Sequence, residues 1–340
     1  MDRSNAGDLA PFSKATEVDR LGSHTYSANL IDSFCIGTVP NGGYVASCIL
    51  RAAGLHLAER GQKDVLNAHF QFLNRTETGP AVIIIEDVKL GRQLSTLHAT
   101  LYQHALLPEP PWITQGSTRK EVAVYLTMAD LSKERGISLP TAFTLQLHPP
   151  RPDFDALRED RDAHWARYEL PGDSPLSYAR SLRNCIYHDP RGGQQTKGVI
   201  DKWVRLASGE NFTAASLGYV SDCWPYVVEA QRPSKQEAEE RKRRGEGVPF
   251  APGARFWYPT VVLNLEMKKA LPAEGLEWLQ LRIQSKQIKG GRFDLEVLLL
   301  DEHGDLVALS NHVNLILGSE RNTAERTRGG GAEKGPLSRI

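Results

Sequence analysis

The segment SLGYVSDCWPYVVEA, residues 216–230, holds one carboxylate in its middle, Asp222, in the midst of apolar residues. Leu217, Val220, Trp224, Val227 and Val228 recur at helical spacing and mark one apolar face. A carboxylate on such a face is costly to bury unless it is paired or hydrogen-bonded. Held in that way it is a competent general base, able to take a proton from water beside an electrophilic carbon. The plainer alternative is a helix cap, since Asp is a good N-cap and Pro225 is tolerated in a first turn. The apolar spacing begins before Asp222, which argues for a longer helix with a kink near Pro225.

A second candidate is Asn41-Gly42-Gly43-Tyr44, ahead of the apolar run VASCILRAAGLHLAERG. Backbone N–H groups at a helix N-terminus can polarise a carbonyl, and glycine lets the backbone approach a ligand closely. The same residues also read as a turn feeding a helix capped by Asn41. By pattern alone Thr260 and His312 are ordinary strand residues. Arg92 and Ser95 sit near a hairpin tip, and RKRR at 241–244 reads as a solvated face beside KQEAEE.

Composition narrows the field. In 340 residues, 41 Lys and Arg balance 41 Asp and Glu, which removes any global electrostatic case for nucleic acid or an anionic membrane. The content of 40% hydrophobic and 24% charged residues is that of a soluble globular chain. Four scattered cysteines without CxxC, and ten histidines without HExxH, predict neither a disulfide framework nor a metal centre. No cofactor motif appears, and the expected setting is reducing and cytoplasmic. The first 20 residues lack a signal-peptide core, and no run approaches the roughly 18 apolar residues of a membrane span. Ser338-Arg339-Ile340 resembles the S-K-L peroxisomal tripeptide, at the end of a Gly-rich tail expected to be disordered.

The elements that must position these residues are written twice. An apolar helix over 41–61 precedes strands at 67–73, 81–90, 94–102 and 121–128, with a hairpin tip at Gly91-Arg92. The 216–230 helix precedes strands from 260, over 276–288, 293–300 and 305–317, with a tip at Gly290-Gly291-Arg292. Earlier strands fall near 24–34 and 194–206. Each half is thus a helix plus antiparallel strands, and two halves side by side predict a continuous sheet with two central helices. The reading divides the chain into an N-terminal segment 1–23, halves at 24–135 and 176–317, a proline-rich charged linker 136–175, a charged insertion 231–250 and a tail 318–340.

The order PNGGYVAS, HFQFLNRTETGP, GRQLST, YVSD and LVALSNHVNLIL resembles the double-hotdog acyl-CoA thioesterases, the type II thioesterase-like superfamily, in a fungal flavour. The resemblance covers roughly residues 24–317. It implies an α+β double hotdog, two curved antiparallel sheets each wrapping a long central helix. It further implies Asp222 as the activating aspartate in Y-x-S-D, Thr260 as the threonine opening the strand after the helix, and a last-strand position for a glutamine. Here that position is His312, a departure from the family's pattern. The implied substrate is a small-molecule acyl thioester on CoA or a carrier protein, with Asn41, Gly42, Gly43 and Tyr44 as substrate-binding residues and possible homo-oligomers. In that chemistry Thr260 and His312 orient the water.

Three functions compete. The first is hydrolysis of an acyl thioester by an Asp-activated water. The second is a non-hydrolytic hotdog reaction of a fungal biosynthetic pathway, dehydratase- or cyclase-like, with Asp222 and His312 as an acid–base pair. The third is an acyl-binding hotdog without catalysis. An idle buried carboxylate only destabilises, which weighs against the third.

Overall fold

The computed structural model describes residues 9–146, 149–170, 174, 176–247, 250 and 254–323. The N-terminal half supplies β1 (Val18–Arg20), β2 (Thr25–Leu30), α1 (Gly42–His56), β3 (Asp64–Phe72), β4 (Gly79–Lys89), β5 (Ser95–Gln103) and β6 (Arg119–Ala129). The C-terminal half supplies β7 (Trp165–Arg167), β8 (Cys185–Pro190), β9 (Val199–Leu206), α2 (Ser216–Asp222), β10 (Thr260–Met267), β11 (Leu279–Gln284), β12 (Arg292–Leu300) and β13 (Leu306–Leu315). These strands form one sheet in the order β1-β2-β4-β5-β6-β3-β10-β13-β12-β11-β9-β8-β7, with Ile288–Lys289 added on β12. The internal repeat is visible in that order, because β2-β4-β5-β6-β3 is matched by β9-β11-β12-β13-β10 about the central β3–β10 seam.

Period-two patterning selects the inner face. In β12, Phe293, Leu295, Val297 and Leu299 are buried and alternate with Asp294, Glu296 and Leu298, which are half-buried. In β10 it is Leu263, Leu265 and Met267 that point inward. The seam is antiparallel, with Phe70 opposite Leu263 and Ala68 opposite Leu265. Helix α1 packs on this inner face and is buried almost all round, from Gly43 to Leu50 and at Ala52 and Ala53. Its N-cap is Asn41, whose Oδ1 accepts from Tyr44 N–H at 2.9 Å.

The continuous sheet expected from the repeat is present, while the two sheets each wrapping a long helix are replaced by that one sheet and two unequal helices. Helix α2 stops at Asp222 after seven residues, and a 3₁₀ segment covers Tyr226–Gln231. Pro225 explains the stop: it has no N–H for the ladder, its ring would strike the carbonyl of residue 221, and it disfavours helical geometry at Trp224.

Other boundaries also move. The linker 136–175 contributes helix Phe154–Arg158 and edge strand β7. Leu157 and Trp165 from it form a second small core with Trp203 and Trp278. In the insertion 231–250, helix Lys235–Arg243 starts at a capping box made by Ser234 and Glu237. Order continues past residue 318, since Leu317–Gly318 pairs with Phe256–Trp257 and Glu320–Thr323 is helical. Ser338-Arg339-Ile340 lies outside the described residues.

Candidate active site

The two helices meet at their functional ends. Gly43 of α1 faces Asp222 and Gly218 of α2 so closely that a Cβ on Gly43 would lie 2.4 Å from Gly218 O and 2.6 Å from Asp222 Cβ. A Cβ on Gly218 would in turn lie 3.0 Å from Leu50 Cδ1, so the contact continues along α1. Ser47 Oγ accepts from Tyr219 N–H at 2.9 Å and locks this crossing. The carboxylate of Asp222 emerges at the C-terminal end of its own helix, where an anion is disfavoured, and reaches the N-terminus of α1, where an anion is favoured.

Three donors hold it. Gly43 N–H donates to Oδ2 at 2.8 Å, Asn41 Nδ2 donates to Oδ2 at 3.2 Å, and Thr260 Oγ1 donates to Oδ1 at 2.8 Å. Asn41 Nδ2 also lies 3.3 Å from the Asp222 carbonyl oxygen. A carboxylate offers about four lone-pair sites, so one on Oδ1 is not taken by these donors. Behind Thr260, Asn314 Nδ2 donates to Oγ1 at 2.9 Å. The hydroxyl has one proton, and with its oxygen accepting from Asn314 that proton is directed at Asp222.

His312 stands behind the carboxylate, with Nδ1 3.4 Å from Asp222 Oδ1. Its Nε2 lies 2.7 Å from Ser310 Oγ, which in turn donates to Asn264 O at 2.8 Å. Since the Ser310 proton goes to Asn264, the Ser310 oxygen accepts from His312 Nε2–H, and this assigns the ring proton. Ser310, His312 and Asn314 are all buried on one face of β13 at two-residue spacing.

Asp222, Thr260, Asn41 and Gly42 line a cavity of about 200 Å³. Its walls are mostly apolar: Ile36, Val39, Phe72, Trp257, Tyr258 and Leu315. Arg75, also in the lining, lies 5.5 Å from the centre of the Trp257 ring. Burial pushes the phenol of Tyr258 well above its ordinary range, as does the neighbouring Glu229 carboxylate, to which the hydroxyl donates.

The structure brings Asp222, Thr260, His312, Asn41 and Gly43 to one cluster, with two departures from the sequence expectation. His312 is buried and is not among the residues that line the cavity, with its Nδ1 turned toward Asp222. Tyr44 does not reach the cavity at all. One helical step turns its ring away from Gly43, and its hydroxyl donates to Ala15 O at 2.8 Å and lies 3.2 Å from Ile31 N. Gly43 N–H is spent on Asp222, which leaves Gly42 as the helix-terminal residue on the cavity wall. Arg92 and Ser95 serve the β4–β5 hairpin, where Ser95 Oγ donates to Gln62 Oε1 at 2.6 Å.

Comparison with known proteins fits this geometry. Residues 30–128 match the family model of the acyl-CoA thioesterase N-terminal domain, and residues 149–316 match that of the acyl-CoA thioesterase C-terminal domain. The chain belongs to the acyl-CoA thioesterase family. It is 45% identical to the thioesterase-like protein TwmA of Talaromyces wortmannii, over 94% of this chain and 96% of that one. A hot dog fold protein of Alicyclobacillus acidocaldarius superposes with a TM-score of 0.65 at 17% identity, over 90% of this chain and 97% of the other. The acyl-CoA thioesterase II TesB2 of Mycobacterium marinum gives 0.57 at 16% identity, over 91% and 98%. At such identities these two likenesses concern the fold, which is the hotdog fold of this family.

Proposed function

We propose that the protein hydrolyses an acyl thioester, with Asp222 as the general base. One observation carries this reading: a buried carboxylate at a cavity wall, fixed by Gly43 N–H, Asn41 and Thr260, with one lone pair on Oδ1 left over. A water on that lone pair would give its proton to Asp222 as its oxygen attacks the thioester carbon. The carbonyl oxygen would take up the developing charge beside Gly42 at the N-terminus of α1, and collapse would expel the thiolate. Thr260 and Asn314 hold the carboxylate in orientation for this step. His312 stands behind Asp222 with Nδ1 toward Oδ1 and its ring pinned by Ser310. The carrier is CoA or a carrier protein, and the cell compartment is the cytoplasm, or the peroxisome if Ser338-Arg339-Ile340 is an import signal.

A second reading is favoured by the 3.4 Å approach of His312 to Asp222, which would suit an acid–base pair of a dehydratase-like reaction. His312→Gln separates the two. Free-thiol release from acyl-CoA substrates should be preserved or raised if the protein is a hydrolase, because glutamine also carries a donor for Ser310. A loss of about 10²-fold or more, with enoyl or hydroxyacyl turnover in the unmodified protein, would instead support proton transfer by His312.

A further inference from the structure

We propose that His24, His56 and Asp87 form a binding site for one divalent transition-metal ion, Zn²⁺ foremost, at the end of α1 remote from the cavity. Fourteen helical steps separate Gly42 from His56, so the two places are roughly 20 Å apart.

The donor atoms already converge. His56 Nε2 lies 2.8 Å from Asp87 Oδ1, His24 Nε2 lies 3.1 Å from Asp87 Oδ2, and all three ligand atoms fall within 4.8 Å of one another. Bonds of about 2.0–2.2 Å to a tetrahedral zinc ion put its ligand atoms roughly 3.4 Å apart, so small side-chain rotations suffice. Both rings are oriented through their other nitrogen. His24 Nδ1 lies 2.9 Å from Ser23 Oγ, and His56 Nδ1 lies 3.2 Å from Tyr26 Oη. With each Nδ1 proton donated to these oxygens, both Nε2 lone pairs face the carboxylate side, the outer-shell arrangement that metal-bound histidines require.

The scaffold is stiff. His56 belongs to the last turn of α1, whose terminal carbonyls favour a cation. Asp87 is on β4, and His24 is tied to the same strand by the bond from Ile85 N–H to His24 O at 2.8 Å. His56 is 6% exposed, Asp87 26% and His24 46%, which leaves a fourth coordination position open to water. Two imidazoles and one carboxylate suit Zn²⁺, Co²⁺, Ni²⁺ or Cu²⁺ better than Ca²⁺ or Mg²⁺. Without an ion, the short contacts to the carboxylate put each ring's proton on Nε2, and binding a metal moves it to Nδ1. A bound ion would clamp the entry to β2, the end of α1 and β4 together.

The test uses the untagged full chain, stripped with a chelator, and does not depend on activity. Titration with Co²⁺ should give one equivalent with visible d–d bands, displaced by Zn²⁺, and Zn²⁺ should raise the melting temperature. His24→Ala, at an exposed position, and Asp87→Asn should each weaken binding by roughly tenfold or more. Tyr26→Phe, which removes only the partner of His56 Nδ1, should weaken it by about 10–100-fold. Absence of saturable Co²⁺ or Zn²⁺ binding at pH 7.5 overturns the proposal. So does binding that His24→Ala and Asp87→Asn leave unchanged.

Discussion

Gly43→Ala places a methyl group where the two helices already touch. Its Cβ would meet Gly218 O at 2.4 Å and Asp222 Cβ at 2.6 Å, against an ordinary carbon contact of about 3.5 Å. The helices must part by roughly 1 Å at this crossing, which stretches the 2.8 Å bond from Gly43 N–H to Asp222 and the 2.9 Å bond from Tyr219 N–H to Ser47. Overpacking of this kind costs about 1–3 kcal/mol, while the better helix propensity of alanine returns at most about 1 kcal/mol. Stability should fall by about 1–2 kcal/mol in urea unfolding. Turnover should fall by about 10²-fold, because a 1 Å displacement of the base is enough to lose the attack geometry. Gly218→Ala is the internal control: its Cβ would meet Ser47 Oγ and Leu50 Cδ1 at 3.0 Å and Ser47 N at 3.2 Å, so the neighbours need to give far less than at Gly43. A Gly43→Ala protein as stable and active as the parent, or one no worse than Gly218→Ala, would refute the close-crossing argument.

Three further outcomes follow from other parts of the structure. Asn314→Asp replaces the donor behind Thr260 by an acceptor that competes for the Thr260 proton; kcat should fall by about 10–100-fold with KM little changed, and an unaltered kcat removes Asn314 from the relay. Burial lowers the imidazole of His188 to about 4, so the folded protein holds it neutral while the unfolded chain takes up a proton below about 6.5. Its contribution is then full above pH 6.5 and is lost as pH falls toward 4, by about 3 kcal/mol in all; urea unfolding of His188→Gln should show a flatter slope over that window. Lys202 is buried with its ammonium 3.6 Å from the centre of the Trp224 ring and paired with Asp189. Asp189→Ala leaves that cation uncompensated and should cost about 3–5 kcal/mol, whereas Lys202→Met leaves a carboxylate that water can reach and should cost far less; equal losses would contradict this.

The hairpin tips made the repeat legible, because Gly91-Arg92 and Gly290-Gly291-Arg292 each sit between long alternating strands. Strands of three residues, such as β1 and β7, carry too little periodicity to be seen and exist only because a neighbouring strand pairs with them. The second helix was overread for a different reason. Val227 and Val228 continue the apolar spacing past Pro225, yet they belong to a 3₁₀ segment that buries the same side. Asp222 stands out as a carboxylate on an apolar face, but Thr260 and His312 came from the resemblance one position at a time, so Asn314 and Ser310 were passed over. Their signal was present as S-x-H-x-N, three polar residues at period two on a strand that must turn one face to the core. Tyr44 was grouped with its neighbours by adjacency, although one residue on a helix turns the side chain by about 100°. His24, His56 and Asp87 are too far apart in the chain for any spacing rule to collect them.

Asp222→Asn gives the most direct test of the central claim, since it keeps the size and the hydrogen-bonding reach of the side chain while removing its basicity. With acyl-CoA substrates of graded chain length and free-thiol detection, the unmodified protein should release CoA and Asp222→Asn should be slower by about 10²–10⁴-fold, with its circular dichroism and unfolding midpoint showing an intact fold. Thiol release by Asp222→Asn at the rate of the unmodified protein would contradict the assignment of Asp222 as the base.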